Sequence, residues 1–203
     1  YVALLFKVRT LAHPYPVEDV PDFYSFQTLK FLILAIAFAL AGVLFCVMLH
    51  TCEHKFKEWF ANPYLRIVAG AAAVIALRFL LGTEDYLGLG GVSPEKFLLK
   101  MIFTCLTLCV GFKGGEIVPS LFIGATLGSA MSAFLALPPD ICAACGMVGV
   151  FCAVTNSPIS SMLIAFEMFG FTGMPFYCSV VAVSYLVSGY YSLYKEQRIV
   201  YSK

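Results

Sequence analysis

Several apolar stretches of this chain are too short to cross a bilayer, and each is bounded by glycine, proline or small polar residues. Residues 140–153, 159–170 and 174–189 run for only 12–16 residues, whereas an untilted helix needs about 20 to cross roughly 30 Å of hydrocarbon. The joints read "LPPD" at 137–140 and "TNSP" at 155–158. A third, "GFKGGE" at 111–116, interrupts what would otherwise be one long apolar run. Irregular backbone at membrane depth is tolerated only where it is buried in protein or lines a cavity. Helices broken in this way are the usual carriers of ion sites in transporters. A plain bundle of continuous helices leaves these joints without a purpose.

Composition explains why a membrane enters the reading at all. Of 203 residues, 61% are hydrophobic and only 12% charged, against about 25% charged in soluble domains. The mean hydropathy is +0.88, more apolar surface than a soluble core can hide, so lipid is the expected solvent. A net charge of +1 argues against nucleic acid and against strongly charged soluble partners. Eight cysteines suggest a disulfide framework, but Cys46, Cys105, Cys109, Cys142, Cys145, Cys152 and Cys178 lie inside apolar runs and only Cys52 sits at an edge. They read as small buried hydrophobes.

The whole of 1–203 reads as one transmembrane domain. No secretory signal is visible in it, and its opening "YVALLFKVRT" reads as the end of an element already under way. Residues 10–27, with three prolines and three acids, read as an extramembrane loop. Residues 28–50 form the longest apolar run and continue into a charged extension, where Lys55 and Trp59 suit an interface. A second helix is expected over 65–81, with Arg66 and Arg78 near its ends to snorkel. A third is expected to start with Ser93 as cap, Pro94 in the first turn and Glu95 near the positive end, and to run to about Val110. Helices over 119–136, 140–153, 158–169 and 174–189 follow, and 190–203 is a polar, aromatic tail.

The break at 111–118 carries the chemistry. A helix N-terminus offers unpaired N–H groups and roughly half a positive charge, and so binds an anion without a fixed charge to trap it. Gly114 and Gly115 let the backbone turn and be approached closely. Pro119 is expected to open the next helix, leaving the N–H groups of Glu116, Ile117 and Val118 available. Glu116 is expected to point away from such an ion, accepting backbone N–H bonds or pairing with Lys113. A proton-carrying role for this carboxylate is the second reading.

The stretch "GFKGGEIVPSLFIGATLG", with "YLGLGG" before it and "GMVGVFCAVTNSPISSMLIAFEM" after it, resembles the G-x-F-x-P region of the CLC family of chloride channels and chloride/proton antiporters. The whole chain is similar to the C-terminal half of that family, with Ile117 in place of the phenylalanine. The "GGE" form resembles a bacterial subgroup that includes fluoride exporters. The resemblance implies one half of an inverted repeat of tilted, discontinuous helices. The serine-bearing loop and the gating glutamate motif of the family's other half do not occur here, so the complete pathway is not expected within these residues. The resemblance also implies that the backbone amides of Glu116 and Ile117 hold a dehydrated anion and that a C-terminal tyrosine donates to it. Tyr194 fits best by spacing, with Tyr190, Tyr191 and Tyr201 as rivals. Finally, it implies a homodimer with one pathway per subunit and contacts through 158–169 and 174–189.

Two other motifs compete. "HTCEH" at 50–54 has zinc-peptidase spacing, with His50 and His54 on one helix face and Glu53 as base. It sits where a span meets the interface, and the one other histidine is His13. "CAAC" at 142–145 has redox spacing without the βαβ context and reads as packing. Gly124 and Gly128 form a G-x-x-x-G that favours close helix contact, within or between subunits.

The expected protein is therefore an all-α, multi-pass protein of the cell membrane. It moves an anion selectively through sites at Gly115, Glu116, Ile117, Val118 and Tyr194, as a channel or in exchange for protons, and it is not an enzyme. The apolar side chains of Ile117 and Val118 leave only backbone donors in this segment. That suits chloride better than the smaller, more strongly hydrated fluoride.

Overall fold

The computed structural model describes residues 17, 20–23, 27–60, 62–81, 96–111 and 114–194, without the side chains of Arg78, Leu80, Leu81 and Lys96. These residues form seven α-helices and no strand: α1 Gln27–Trp59, α2 Pro63–Leu81, α3 Lys96–Cys109, α4 Ile117–Leu135, α5 Pro139–Thr155, α6 Pro158–Phe169 and α7 Met174–Val187. The apolar run at 28–50 and its charged extension are one continuous helix of 33 residues, roughly 50 Å long at 1.5 Å per residue. By length and apolarity α1 and α4 can each cross a membrane; α3, α5, α6 and α7 are apolar and shorter. The expected cap at Ser93, Pro94 and Glu95 lies outside the described residues.

α1 is apolar on both faces. Phe31, Leu34, Phe38, Phe45 and Cys46 are fully buried, while Leu29, Ile33, Ile36, Leu40, Leu44 and Val47 form an exposed stripe at helical spacing. A surface helix in water carries polar residues on its outer face, and a helix hydrophobic all round belongs in a core or in lipid. Lipid is as apolar as leucine, so burial from lipid gains little and close packing must hold the helices together.

Close packing centres on α5, in which every residue from Val148 to Thr155 is buried. It lies against α1, α4, α6 and α7. A Cβ added at Gly42 of α1 would come within 2.6 Å of Ala153, and one at Gly149 within 2.9 Å of Val180. The Gly124–Gly128 pair resolves as a contact within the chain: a Cβ at either position would run into the α5 backbone, at Gly146 and Cys142. Two buried threonines are satisfied inside their own helices, Thr126 donating to the Phe122 carbonyl at 2.9 Å and Thr155 to Phe151 at 2.8 Å, while the buried Ser184 hydroxyl of α7 donates across to the Ala35 carbonyl of α1 at 3.3 Å. All eight cysteines are free, and Cys142 and Cys145 are fully buried in α5.

The joints are helix caps. α5 ends at Asn156, which holds the left-handed conformation (φ 54°) that Asn tolerates better than most residues, and Pro158 restarts the chain as α6. α4 ends at Ala136, also left-handed (φ 50°), where the Lys30 ammonium donates to the Leu135 carbonyl at 2.6 Å. Parts of the expected loop at 10–27 pack against the core: Val17 is buried, and the Phe23 ring meets Phe176 edge-on at 5.3 Å. The tail beyond Val187 is also anchored, since Leu193 is buried and its N–H donates to the Val154 carbonyl at 2.9 Å.

Candidate functional site

α3 and α4 face each other across the glycine break. Gly111 ends α3 with φ 103° and its N–H donates to the Leu108 carbonyl at 3.1 Å, a conformation that glycine adopts without penalty. Gly114 and Gly115 are exposed, and a Cβ added at Gly115 would meet nothing within 4 Å. The next helix begins two residues earlier than the sequence suggests, at Ile117, with Glu116 as its N-cap. Pro119 is therefore the third helical residue, not the first. The shift costs nothing, because the N–H that proline lacks would find no acceptor anywhere in the first turn.

Ile117 and Val118 open α4 with exposed side chains and with N–H groups that have no preceding turn to bond to. The Ser120 N–H is the first to find a helical partner, the Glu116 carbonyl at 3.2 Å. Glu116 departs from expectation. Its side chain makes no capping bond, because its backbone is helical (φ −84°, ψ −23°) where a capping residue is normally extended. Lys113, its other expected partner, lies outside the described residues. Glu116 lines a cavity of about 430 Å³ with Leu49 and Glu53 of α1, Leu108 of α3 and Gly114. Within α1, Glu53 is paired with Lys57 at 2.6 Å.

On the other flank of the break is a smaller cavity of about 130 Å³, lined by Lys100, Thr104 and Thr107 of α3 together with Gly114, Gly115 and Pro119. The Lys100 ammonium stands 5.5 Å from the centre of the Phe122 ring. The first cavity thus has Glu53 and Glu116 among its lining residues, and the second has Lys100, Thr104 and Thr107.

Gly115, Glu116, Ile117 and Val118 are contiguous at this opening, and Tyr194 comes from the tail. Tyr194 is half-exposed, and its N–H donates to the Ser192 hydroxyl at 3.2 Å. No hydrogen bond joins it to residues 115–118 among the described residues. The link is indirect: His50 of α1 holds the Ser192 carbonyl at 2.8 Å, and its chain neighbours Leu49 and Glu53 wall the cavity at Glu116.

The zinc-peptidase spacing at 50–54 resolves into three separate contacts. His50 Nε2 faces the Ser192 carbonyl, which only accepts, so this nitrogen carries its proton and has no lone pair for a metal. His54 faces Glu58 at 3.4 Å, and Glu53 faces Lys57. Sequence reasoning missed the two cavities and the structural use of His50. A lone histidine ending an apolar run signals an unusual environment, but nothing local names a partner 142 residues away.

Broken helices around a central α5, with a helix N-terminus opened by glycine and bordered by charged residues, are the kind of arrangement that carries ion sites in transporters. Residues 2–189 match the family described as Voltage gated chloride channel, and the chain belongs to that family. It is 33% identical to a chloride/fluoride channel protein of Pseudomonas syringae pv. tomato, across 93% of this chain and 45% of that protein. It superposes on the crystal structure of a CLC-type fluoride/proton antiporter with a TM-score of 0.87 and 30% identity, covering 95% of this chain and 51% of that one. The chain spans about half the length of these relatives.

Proposed function

We propose that these residues supply one wall of a selective anion pathway in the cell membrane, with the anion held by the first N–H groups of α4 and by Tyr194. The observation that carries this reading is the start of α4. Two backbone donors, at Ile117 and Val118, stand at the positive end of a helix whose cap residue leaves them uncovered. The site residues are Gly115, Glu116, Ile117, Val118 and Tyr194. Exchange of the anion for protons fits the placement of Glu116 on the wall of a cavity, since carboxylates at membrane depth commonly carry protons. A homodimer built through 158–169 and 174–189 belongs to the same proposal. It is supported by the exposed apolar side chains of Ile159, Leu163 and Leu186 on α6 and α7.

For the anion, fluoride leads, because the solved structure on which nearly the whole chain superposes is named a fluoride/proton antiporter, while the Pseudomonas relative is named for chloride and fluoride alike. Chloride is the second reading, favoured by the exposed, apolar side chains of Ile117 and Val118, which add no compact donor beside the backbone. Parallel fluoride and chloride efflux from liposomes holding the intact protein separates the two. Fluoride faster by about tenfold or more, about 1.4 kcal/mol in barrier, supports the first reading, and the reverse ratio establishes the second. Equal block of both fluxes in Gly115→Val supports the placement of the site, and undiminished flux in that variant removes it.

A further inference from the structure

We infer that His50 is the positioning residue for the tail segment that carries Tyr194, and through it for the tail's contact with the anion. The inference rests on the site proposed above. His50 ends the long apolar run of α1, a costly place for a polar ring. Its Nε2 donates to the Ser192 carbonyl at 2.8 Å, and its Nδ1 is buried with no hydrogen-bond partner among the described residues. The Ser192 carbonyl can only accept, so this bond places a proton on Nε2.

The tail is held from two directions. α5 binds it at three residues: Asn156 Nδ2 donates to the Tyr191 carbonyl at 2.8 Å, the Ser192 hydroxyl to the Val154 carbonyl at 3.3 Å, and the Leu193 N–H to the same carbonyl at 2.9 Å. From α1, His50 holds the Ser192 carbonyl. Ser192 in turn accepts the Tyr194 N–H on its hydroxyl. One residue thus receives α1 on its carbonyl and Tyr194 on its side chain. The same turn of α1 places Leu49 and Glu53 on the wall of the Glu116 cavity. His50 ties the position of the tyrosine to the helix that borders the break, which the α5 contacts alone do not do.

Sodium fluoride and sodium chloride titrations of the intact protein by calorimetry, paired with thermal melting, test this. His50→Ala is expected to weaken binding of the transported halide about fivefold, as is Tyr194→Phe, with the double variant no weaker than either, because coupled residues give non-additive effects. His50→Gln keeps a donor within reach of the Ser192 carbonyl and is expected to bind within about twofold of the parent, the scatter of independent sites. If His50→Ala does not fold, His50→Leu keeps apolar bulk without a donor and is compared with His50→Gln in its place. Unchanged binding in the donor-less variant, multiplying effects in the double variant, a silent Tyr194→Phe, or no rescue by His50→Gln at a normal melting temperature each overturn the inference. Gly115→Val separates the levels: if it leaves binding untouched, the site itself is misplaced, and if it abolishes binding while the cycle multiplies, only the role of His50 fails.

Discussion

At the start of α4, a Cβ built on Gly115 would meet no atom within 4 Å; further along the same helix, one built on Gly124 or Gly128 would collide with the α5 backbone. The residue type is the same and the demand is opposite. At Gly124 and Gly128 the missing side chain lets two backbones touch, which is how helices associate when lipid offers no hydrophobic drive. At Gly115 nothing among the described residues occupies the space that a side chain would fill. The start of α4 leaves room beside its backbone and the middle is packed as scaffold, so one helix can offer the proposed site and hold it still.

The comparison breaks most visibly at the tight end. Gly128→Val is expected to destabilise the fold by about 3 kcal/mol or more, since the side chain meets backbone that cannot rotate away. Chemical denaturation and gel filtration in detergent measure it, and a variant as stable as the parent removes the contrast. Gly115→Val sharpens the other side. Its stability is expected to stay within about 0.5 kcal/mol, as at an ordinary surface site, while anion flux falls at least about tenfold. A loss of stability matching that of Gly128→Val, with flux per folded protein unchanged, reverses the assignment.

Smaller effects probe the joint where the tail is anchored. Asn156→Ala places a residue disfavoured in the left-handed region at φ 54° and removes the donor to Tyr191. About 2–3 kcal/mol of stability should go, from roughly 1–2 for the conformation and about 1 for the bond. Asn156→Gly keeps the conformation and should recover part of it in the same melting experiment. The smallest expected effect is that of Tyr194→Phe, which removes one neutral hydroxyl worth about 1 kcal/mol net. Halide affinity should weaken about fivefold with no change in melting temperature. An unchanged affinity removes Tyr194 from the site and leaves the start of α4 as the whole of this chain's contribution.

The helices were legible because apolar runs and their punctuation are local signals. "TNSP" announced a joint because Asn tolerates the left-handed conformation and Pro restarts a helix, and both do so in the structure. The start of α4 was misplaced by two residues because proline is tolerated throughout the first turn and so marks a helix start only loosely. The backbone N–H bonds expected of the Glu116 side chain are not made, for a different reason. Whether a cap side chain reaches back to the helix depends on its own backbone angles, and these follow from how α3 and α4 are docked, not from the letter E.

By itself the sequence determined the class of solvent, the positions of the breaks and the chemistry available at the opening of α4, because periodicity, glycine, proline and unpaired N–H groups act over one or two turns. The tertiary structure decided what lies opposite each of those features. It set Gly124 and Gly128 against α5 of the same chain, placed Glu116 on the wall of a cavity with Glu53, and gave His50 to a carbonyl in the tail. Such pairings depend on how helices far apart in the chain cross, and a side chain's partner across that distance is fixed by packing, which no local pattern encodes.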